Sequence, residues 1–301
     1  MAGILVLGDA LLDVHATPAE PIRSGGDVPA VVRLGVGGQG ANLAVRLGRR
    51  GLSVRLACAI GDDEAGPLVR DRLDRAGVTV VPMPARATGA VVILLGPDGE
   101  RTMLSDRVPF VPALAARLPE LVPAAEWIVV SGYLLEEPGL RLRASAMGRA
   151  RRALLGSPFR DAGGWRAAAE ALAPDLLVVN RAEAAALAGA TPDAPLAELA
   201  PAVRAAVGAE TAVVTDVAGA AAARGSGDGV EIHGQRDPGV VDTTGAGDAF
   251  AATLLAELHD AWPPSPEALR AAMERAAAVA TAVSRVVGAQ AAVGPGSDGA
   301  A

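Results

Sequence analysis

Short apolar runs closed by Gly, Asp or Pro alternate along the chain with longer stretches whose apolar residues return every three to four positions. That alternation is the mark of βαβ units wound around a parallel sheet. Strands are predicted at 3–7, 53–59, 127–130, 176–179 and 211–215. Helices are predicted at 41–50, 64–76, 140–154, 166–172, 181–187, 196–207, 248–261 and 266–287. Two stretches break the rhythm: 28–34 is a short extended run, and 88–95 with 101–104 flanks the turn Pro97-Asp98-Gly99-Glu100 as a β-hairpin. They predict a small β attachment covering one end of the α/β body, a natural place for a lid.

Composition narrows the classes of function. Of 301 residues, 51% are hydrophobic and 20% charged, enough apolar side chain for a sizeable core and too much for an intrinsically disordered chain. All 27 basic residues are arginine, against 34 acids, for a formal charge of −7. That balance disfavours non-specific binding to nucleic acid or anionic membranes. Tyr133, three Phe and three Trp give no spread of stacking surfaces for single-stranded bases. The lone Cys58 cannot form an internal disulfide, and His15, His233 and His259 form no zinc spacing with it. With no basic leader and no apolar stretch of membrane-spanning length, a cytoplasmic protein is expected.

Two glycine-rich segments carry candidate chemistry. Gly35-Val36-Gly37-Gly38-Gln39-Gly40 follows an extended run and precedes a helix, with Asp62 and Asp63 further on, so it imitates a dinucleotide-binding fingerprint. It also reads as a plain turn before a helix, or as a bare backbone open to a small polyhydroxy ligand, with Asn42 offering a donor and an acceptor. The second segment, Val241-Asp242-Thr243-Thr244-Gly245-Ala246-Gly247-Asp248, precedes Phe250, Leu254, Leu255 and Leu258 at helical spacing. Gly245-Ala246-Gly247 therefore lies at a helix N-terminus, where outward N–H groups and the positive end of the dipole make an anion hole for a migrating phosphoryl group. Asp248, in the first helical turn, is placed to accept a proton from an attacking hydroxyl, or simply to complement the dipole. A chain without lysine has no Walker P-loop and no protein-kinase strand lysine, so, if ATP is used, phosphate stabilisation falls to backbone N–H groups, arginine and metal.

Gly37-Gly38-Gln39-Gly40-Ala41-Asn42, continued by Leu43-Ala44-Val45-Arg46-Leu47-Gly48, resembles the first signature of the ribokinase-like (PfkB) carbohydrate kinases, and Asp242 to Asp248 resembles their second. Gly61-Asp62-Asp63 and Asn180-Arg181-Ala182-Glu183 resemble elements that the family places between them. The resemblance implies a three-layer α/β fold, with a central, mostly parallel sheet flanked by helices and a small β lid that supports a homodimer. The kinase domain would span 1–293, with lid strands from about 14–35 and 88–105 inserted, leaving 294–301 as a disordered tail. The implied reaction is transfer of the γ-phosphate of MgATP to a primary hydroxyl of a small sugar, ribose-like in first place.

Residue by residue, the resemblance makes Asp248 the catalytic base and Gly245, Ala246 and Gly247 the anion hole. It gives the sugar to Asp13, Gly37, Gly38, Gln39 and Asn42, although Gln39 stands where ribokinases usually carry Lys. Asn180 and Glu183 would organise Mg2+ through water, and by residue pattern they also form a capping box. Thr215, Gly245 and Gly247 would lie near the nucleotide phosphates, and Asp242 and Thr244, with Gly288 and Ala289, near a monovalent cation such as K+. Arg107 and Arg160 match positions where 2-keto-3-deoxygluconate kinases hold a sugar-acid carboxylate, so sugar acids stay open. An NAD(P)-dependent oxidoreductase and a non-catalytic sugar-binding protein are the remoter alternatives.

Overall fold

The computed structural model describes residues 3–96, 101–137, 142–225, 227–234, 237–286, 288 and 290. In chain order the elements are β1 (Gly3–Leu7), β2 (Leu11–Pro18), β3 (Ala30–Gly37), α1 (Gln39–Arg49), β4 (Val54–Ala59), α2 (Ala65–Arg75) and β5 (Thr79–Met83). Then come β6 (Gly89–Leu95), β7 (Arg101–Asp106), α3 (Val111–Leu121), β8 (Ala125–Val130), β9 (Arg151–Leu155), α4 (Ala162–Leu172) and β10 (Leu176–Asn180). The chain continues through α5 (Arg181–Ala188), α6 (Leu196–Val207), β11 (Thr211–Asp216), β12 (Gly219–Arg224), β13 (Gly229–His233), α7 (Ala246–Leu258) and α8 (Pro266–Ser284).

Among the described residues, nine strands form one sheet in the order β13-β12-β11-β10-β9-β8-β1-β4-β5. From β11 to β5 every pairing is parallel, and β12 and β13 add an antiparallel edge. Both faces are buried, which is why the strands read as unbroken apolar runs. On β1, Ile4 and Val6 enter the core under α1, α2, α7 and α8, whereas Leu5 and Leu7 enter the core under α3, α4, α5 and α6.

From β1 the chain builds outward through β4 and β5 on one side and through β8, β9, β10 and β11 on the other. Strand order therefore reverses between β1 and β8, and the crevice beyond their carboxyl ends is where such sheets bind ligands.

A second sheet, β3-β2-β6-β7, pairs β2 antiparallel to β3 and parallel to β6, and β6 antiparallel to β7. One face carries the buried Leu11, Val91 and Ile93. The opposite face carries Leu34, Val14, Val92 and Leu104 as one cross-strand row.

The structure corrects the reading at 140–154. Ala144–Met147 is a single 3-10 turn ended by Gly148 at φ 57, and β9 follows. The apolar run 153–155, closed by Gly156, is a buried strand, and periodicity alone cannot separate so short a run from a helix. Asp13 lies in β2. The segments β5, α3, β12 and β13 were not expected; in α3, Pro112 and Pro119 mask the helical period. The predicted turn at 97–100 and the tail 294–301 lie outside the described residues.

Candidate active site

The site starts where glycines let backbones meet. A Cβ on Gly40 would stand 2.7 Å from the Gly8 carbonyl carbon, so only bare backbone lets α1 begin against the end of β1. Gly38, at φ 93, turns the chain from the lid strand β3 into α1, and a Cβ there would lie 2.8 Å from the Asp9 carbonyl oxygen. A Cβ on Gly37 would meet Asp13 Oδ2, so the missing side chain is the space that the Asp13 carboxylate occupies. Asp13 is 5% exposed, and burial pushes its carboxyl up to about 7. His15 Nε2 lies 3.8 Å from Asp13 Oδ2, and burial holds the imidazole below its ordinary range.

Because Gly35 and Gly37 belong to a strand of the lid sheet, the G-x-G-x-x-G segment does not join a strand of the parallel sheet to its crossover helix. The dinucleotide reading loses the geometry that it needs.

The second motif forms the mouth of α7. Asp242 Oδ1 accepts the Thr244 N–H at 2.8 Å and its hydroxyl at 2.5 Å, and Oδ2 accepts the Gly288 N–H at 3.0 Å. The Val241 and Asp242 amides donate to the Ser284 carbonyl, which ties the turn to the end of α8. Gly245, at φ 76, caps α7. The Ala246 amide donates to the Thr243 carbonyl at 3.2 Å, while those of Gly247 and Asp248 have no backbone acceptor among the described residues. A Cβ on Gly247 would meet nothing within 4 Å, so this end of the helix is open.

Asp248 stands in that first turn, and Asn42 Nδ2 donates to its Oδ2 at 2.8 Å. Burial pushes the Asp248 carboxyl up to about 6, against the pull of the Asn42 hydrogen bond, the Arg46 charge, the Gln39 amide and the Arg107 charge. A carboxylate in that range is ionised at neutral pH and close enough to it to exchange a proton.

Gln39 works as a clamp. Its Oε1 accepts the Ser131 hydroxyl at 2.6 Å and the Gly132 N–H at 3.1 Å, and its Nε2 donates to the Gly156 carbonyl at 2.8 Å. The start of α1 is thereby fixed to the ends of β8 and β9. Asn42 Oδ1 likewise accepts from Gln290 Nε2 at 3.1 Å.

Arg107, just past β7, is bound to the Asp9 carboxylate and stacks on the Tyr133 ring, 3.7 Å from its centroid. Burial lowers its pKa. A cavity of about 70 Å³ opens here, at the crevice where strand order reverses, between Asp9, Arg107, Phe110, Tyr133 and Glu137. Arg160 is exposed, and its backbone N–H donates to Glu136 Oε1 at 2.6 Å. Asp9, Tyr133 and Arg46 were missed from sequence. Asp9 could have been found as an acid directly after the first strand, and Arg46 as one helical turn beyond Asn42.

Asn180 caps α5 and forms a reciprocal capping box with Glu183, at 2.9 Å in both directions. Glu183 fills the place a Cβ on Gly156 would take, and burial raises its pKa. Thr215 pairs in register with Asn180 at the end of β11, its hydroxyl 3.4 Å from the Val179 carbonyl. No cluster of three or more His, Cys, Asp or Glu able to hold a metal occurs among the described residues.

Chains of known structure share this architecture. A ribokinase from Arabidopsis thaliana, determined in complex with ribose and ATP, superposes with a TM-score of 0.76 at 22% identity, over 96% of this chain and 95% of that one. An adenosine kinase from Sinorhizobium meliloti gives 0.78 at 22%, over 96% of each chain. A carbohydrate kinase from Agrobacterium tumefaciens gives 0.74 at 27%, over 95% of this chain and 92% of that one. The fold is thus that of the ribokinase-like kinases. The pattern of the pfkB family carbohydrate kinases matches residues 1–294, and the chain belongs to that family. It is a carbohydrate kinase, a phosphotransferase acting on an alcohol group.

Proposed function

We propose that the protein transfers the γ-phosphoryl group of ATP to a primary hydroxyl of a small, uncharged, ribose-like sugar. The hydrogen bond from Asn42 to Asp248 carries this reading, because it brings the two glycine-rich segments to one place. Asp248 takes the proton of the attacking hydroxyl as the oxygen–phosphorus bond forms and the bond to ADP breaks. The Gly247 and Asp248 amides, with that of Gly245, face the charge growing on the phosphoryl oxygens, and the Ala246 amide joins them on leaving Thr243. Asp13, with Gly37, Gly38 and Asn42, holds the sugar hydroxyls. The lid sheet shuts out water and so suppresses hydrolysis of ATP.

A neutral acceptor accords with Arg107 being matched by Asp9, and with Arg160 standing exposed beside Glu136. A sugar acid would have to displace Asp9 from Arg107, which lines the cavity.

Mg2+ suits this chain as an ion carried on the ATP phosphates with most of its waters retained, since Asn180 and Glu183 are engaged in the α5 cap. Bound there, it would neutralise phosphate charge. A monovalent cation at Asp242 and Thr244 would act on the geometry of the turn before α7. The free Cys58 and the use of ATP accord with a cytoplasmic location, and no described helix is long and apolar enough to cross a membrane.

A homodimer formed through the lid accords with the apolar row Leu34, Val14, Val92 and Leu104, in which Leu34 is 48% and Leu104 59% exposed.

A coupled ADP-release screen over pentoses, hexoses, nucleosides and keto-deoxy sugar acids, with and without K+, tests the reading. Turnover with a neutral pentose or related neutral sugar, lost in Asp248→Asn, is expected. Turnover confined to sugar acids, or full activity in Asp248→Asn, contradicts it.

A further inference from the structure

One wall of the cavity at the crevice is built by the segment that returns from the lid. After Arg107 it passes Val108 and Phe110, both in the lining, and runs straight into α3. Leu11 and Leu134 extend the apolar surface. The N-cap of α3 is Phe110, which has no side-chain oxygen to offer. The cap is supplied instead by Glu137, 27 positions on, whose Oε2 accepts the Phe110 N–H at 3.2 Å and the Val111 N–H at 3.3 Å.

Both of these bonds fall on one oxygen. Glu137 is half-buried and lines the cavity, yet its Oε1 has no hydrogen-bond partner among the described residues. A carboxylate has room for about four hydrogen bonds. Burial raises the Glu137 pKa, so the group is short of solvent as well as of protein donors. The other charged groups of the lining are engaged with each other: Arg107 is bound to Asp9 and lies over Tyr133, and Asp9 Oδ1 takes the Gly40 N–H at 3.2 Å. The two amides and the dipole of α3 account for Oε2 and fix the carboxylate in place. They leave Oε1 for a donor that enters the cavity from outside.

We propose that Glu137 is a specificity-determining residue of the kinase: held by the mouth of α3, it accepts through Oε1 a hydrogen bond from a hydroxyl of the sugar other than the one that is phosphorylated. The base Asp248 is outside the lining of this cavity, which is why the hydroxyl that meets Glu137 is a different one. The proposal rests on the reading of the protein as a kinase of small neutral sugars, and it narrows that class to acceptors with a donor set between apolar faces. A deoxy carbon at this place leaves a buried oxygen unpaired, and a carboxylate is repelled.

The probes are D-ribose, or the neutral sugar that the ADP-release screen returns, and its monodeoxy analogues, assayed on the full chain. Glu137→Gln keeps an oxygen for the two α3 amides and turns an NH2 group toward the cavity, so the shape stays while the polarity of the hydrogen bond reverses. In wild type, removal of one particular hydroxyl is expected to lower kcat/KM by about tenfold or more. In Glu137→Gln the parent sugar loses a similar factor, mostly through KM, and the penalty for that one analogue shrinks to about threefold or less. The penalties for the other analogues and the KM for ATP stay as in wild type. Glu137→Ala shows the same loss of discrimination with a lower Tm, and Glu137→Gln carries the test alone if the alanine variant fails to fold.

An unchanged penalty for every analogue in Glu137→Gln overturns the proposal, whatever happens to Tm, because Glu137 then serves only to cap α3. A rise in the KM for ATP equal to that for the sugar overturns it too, since the variant would have disturbed the whole site. If the screen returns sugar acids alone, or Asp248→Asn keeps full turnover, the underlying reading fails and the role of Glu137 with it.

Discussion

Asn42 and Asp248 stand 206 positions apart in the chain, and their side chains meet in a 2.8 Å hydrogen bond at the mouth of α7. The amide donates to a carboxylate that burial raises to about 6. Asn42→Asp replaces this donor with a second carboxylate at hydrogen-bond distance, and two such groups do not ionise together at neutral pH. The expected outcome is an acid limb of kcat/KM displaced to higher pH and at least a tenfold loss of rate at pH 7. A pH–rate profile compares the two proteins, and coincident limbs would argue against Asp248 as the base.

Asp9 holds Arg107 against Tyr133 beside the cavity. Asp9→Asn keeps the shape, and the carbonyl can still accept the Gly40 N–H that now bonds at 3.2 Å, but it leaves the guanidinium without its counter-charge. The ratio of kcat/KM for a keto-deoxy sugar acid to that for a neutral sugar should rise by tenfold or more, a gain of about 1.4 kcal/mol for the anion. Parallel steady-state assays measure it, and an unchanged ratio removes Asp9 from the control of acceptor charge.

Asp13 keeps its proton up to about pH 7 when folded and loses it near 3.8 when unfolded. Between these values the folded chain binds more protons, so this residue's effect is to lower stability as pH rises, with full loss above 7. Urea unfolding of the ligand-free protein at pH 5 and pH 8 should show wild type falling by about 3 kcal/mol relative to Asp13→Asn. Parallel stabilities across this window would mean that Asp13 ionises in the fold as freely as in the unfolded chain.

The exposed row on the lid gives a prediction about assembly. Leu34→Glu with Leu104→Glu places like charges on the outer face of the lid, away from the buried Leu11, Val91 and Ile93. Sedimentation should find a dimer in wild type and a monomer in the double variant. A monomeric wild type would dismiss the second copy as the cover for this face.

The parallel body was legible in the sequence because its strands are buried on both faces and its helices on one, so burial is written as period. The helix at 196–207 and the strand at 3–7 match to the residue, and the strand at 211–215 to within one. Strand β9 was misread since three apolar residues carry no period, and α3 was missed because its prolines interrupt one. At the site, the glycine-rich segments announced themselves through local chemistry: a turn at positive φ and a helix mouth are properties of a few consecutive residues.

What the sequence by itself determined is therefore the set of locally encoded parts: the alternating elements, the glycines at Gly38 and Gly245, the cap at Asn180 and the carboxylate at Asp248. Tertiary structure decided which of those parts act on one another. It turned Gln39 into a clamp across β8 and β9, matched Arg107 with Asp9, left Arg160 in solvent and brought Asn42 against Asp248. The physical reason is that hydrogen bonds and charges act through space over a few ångströms, between residues whose separation along the chain bears no relation to their separation in the fold.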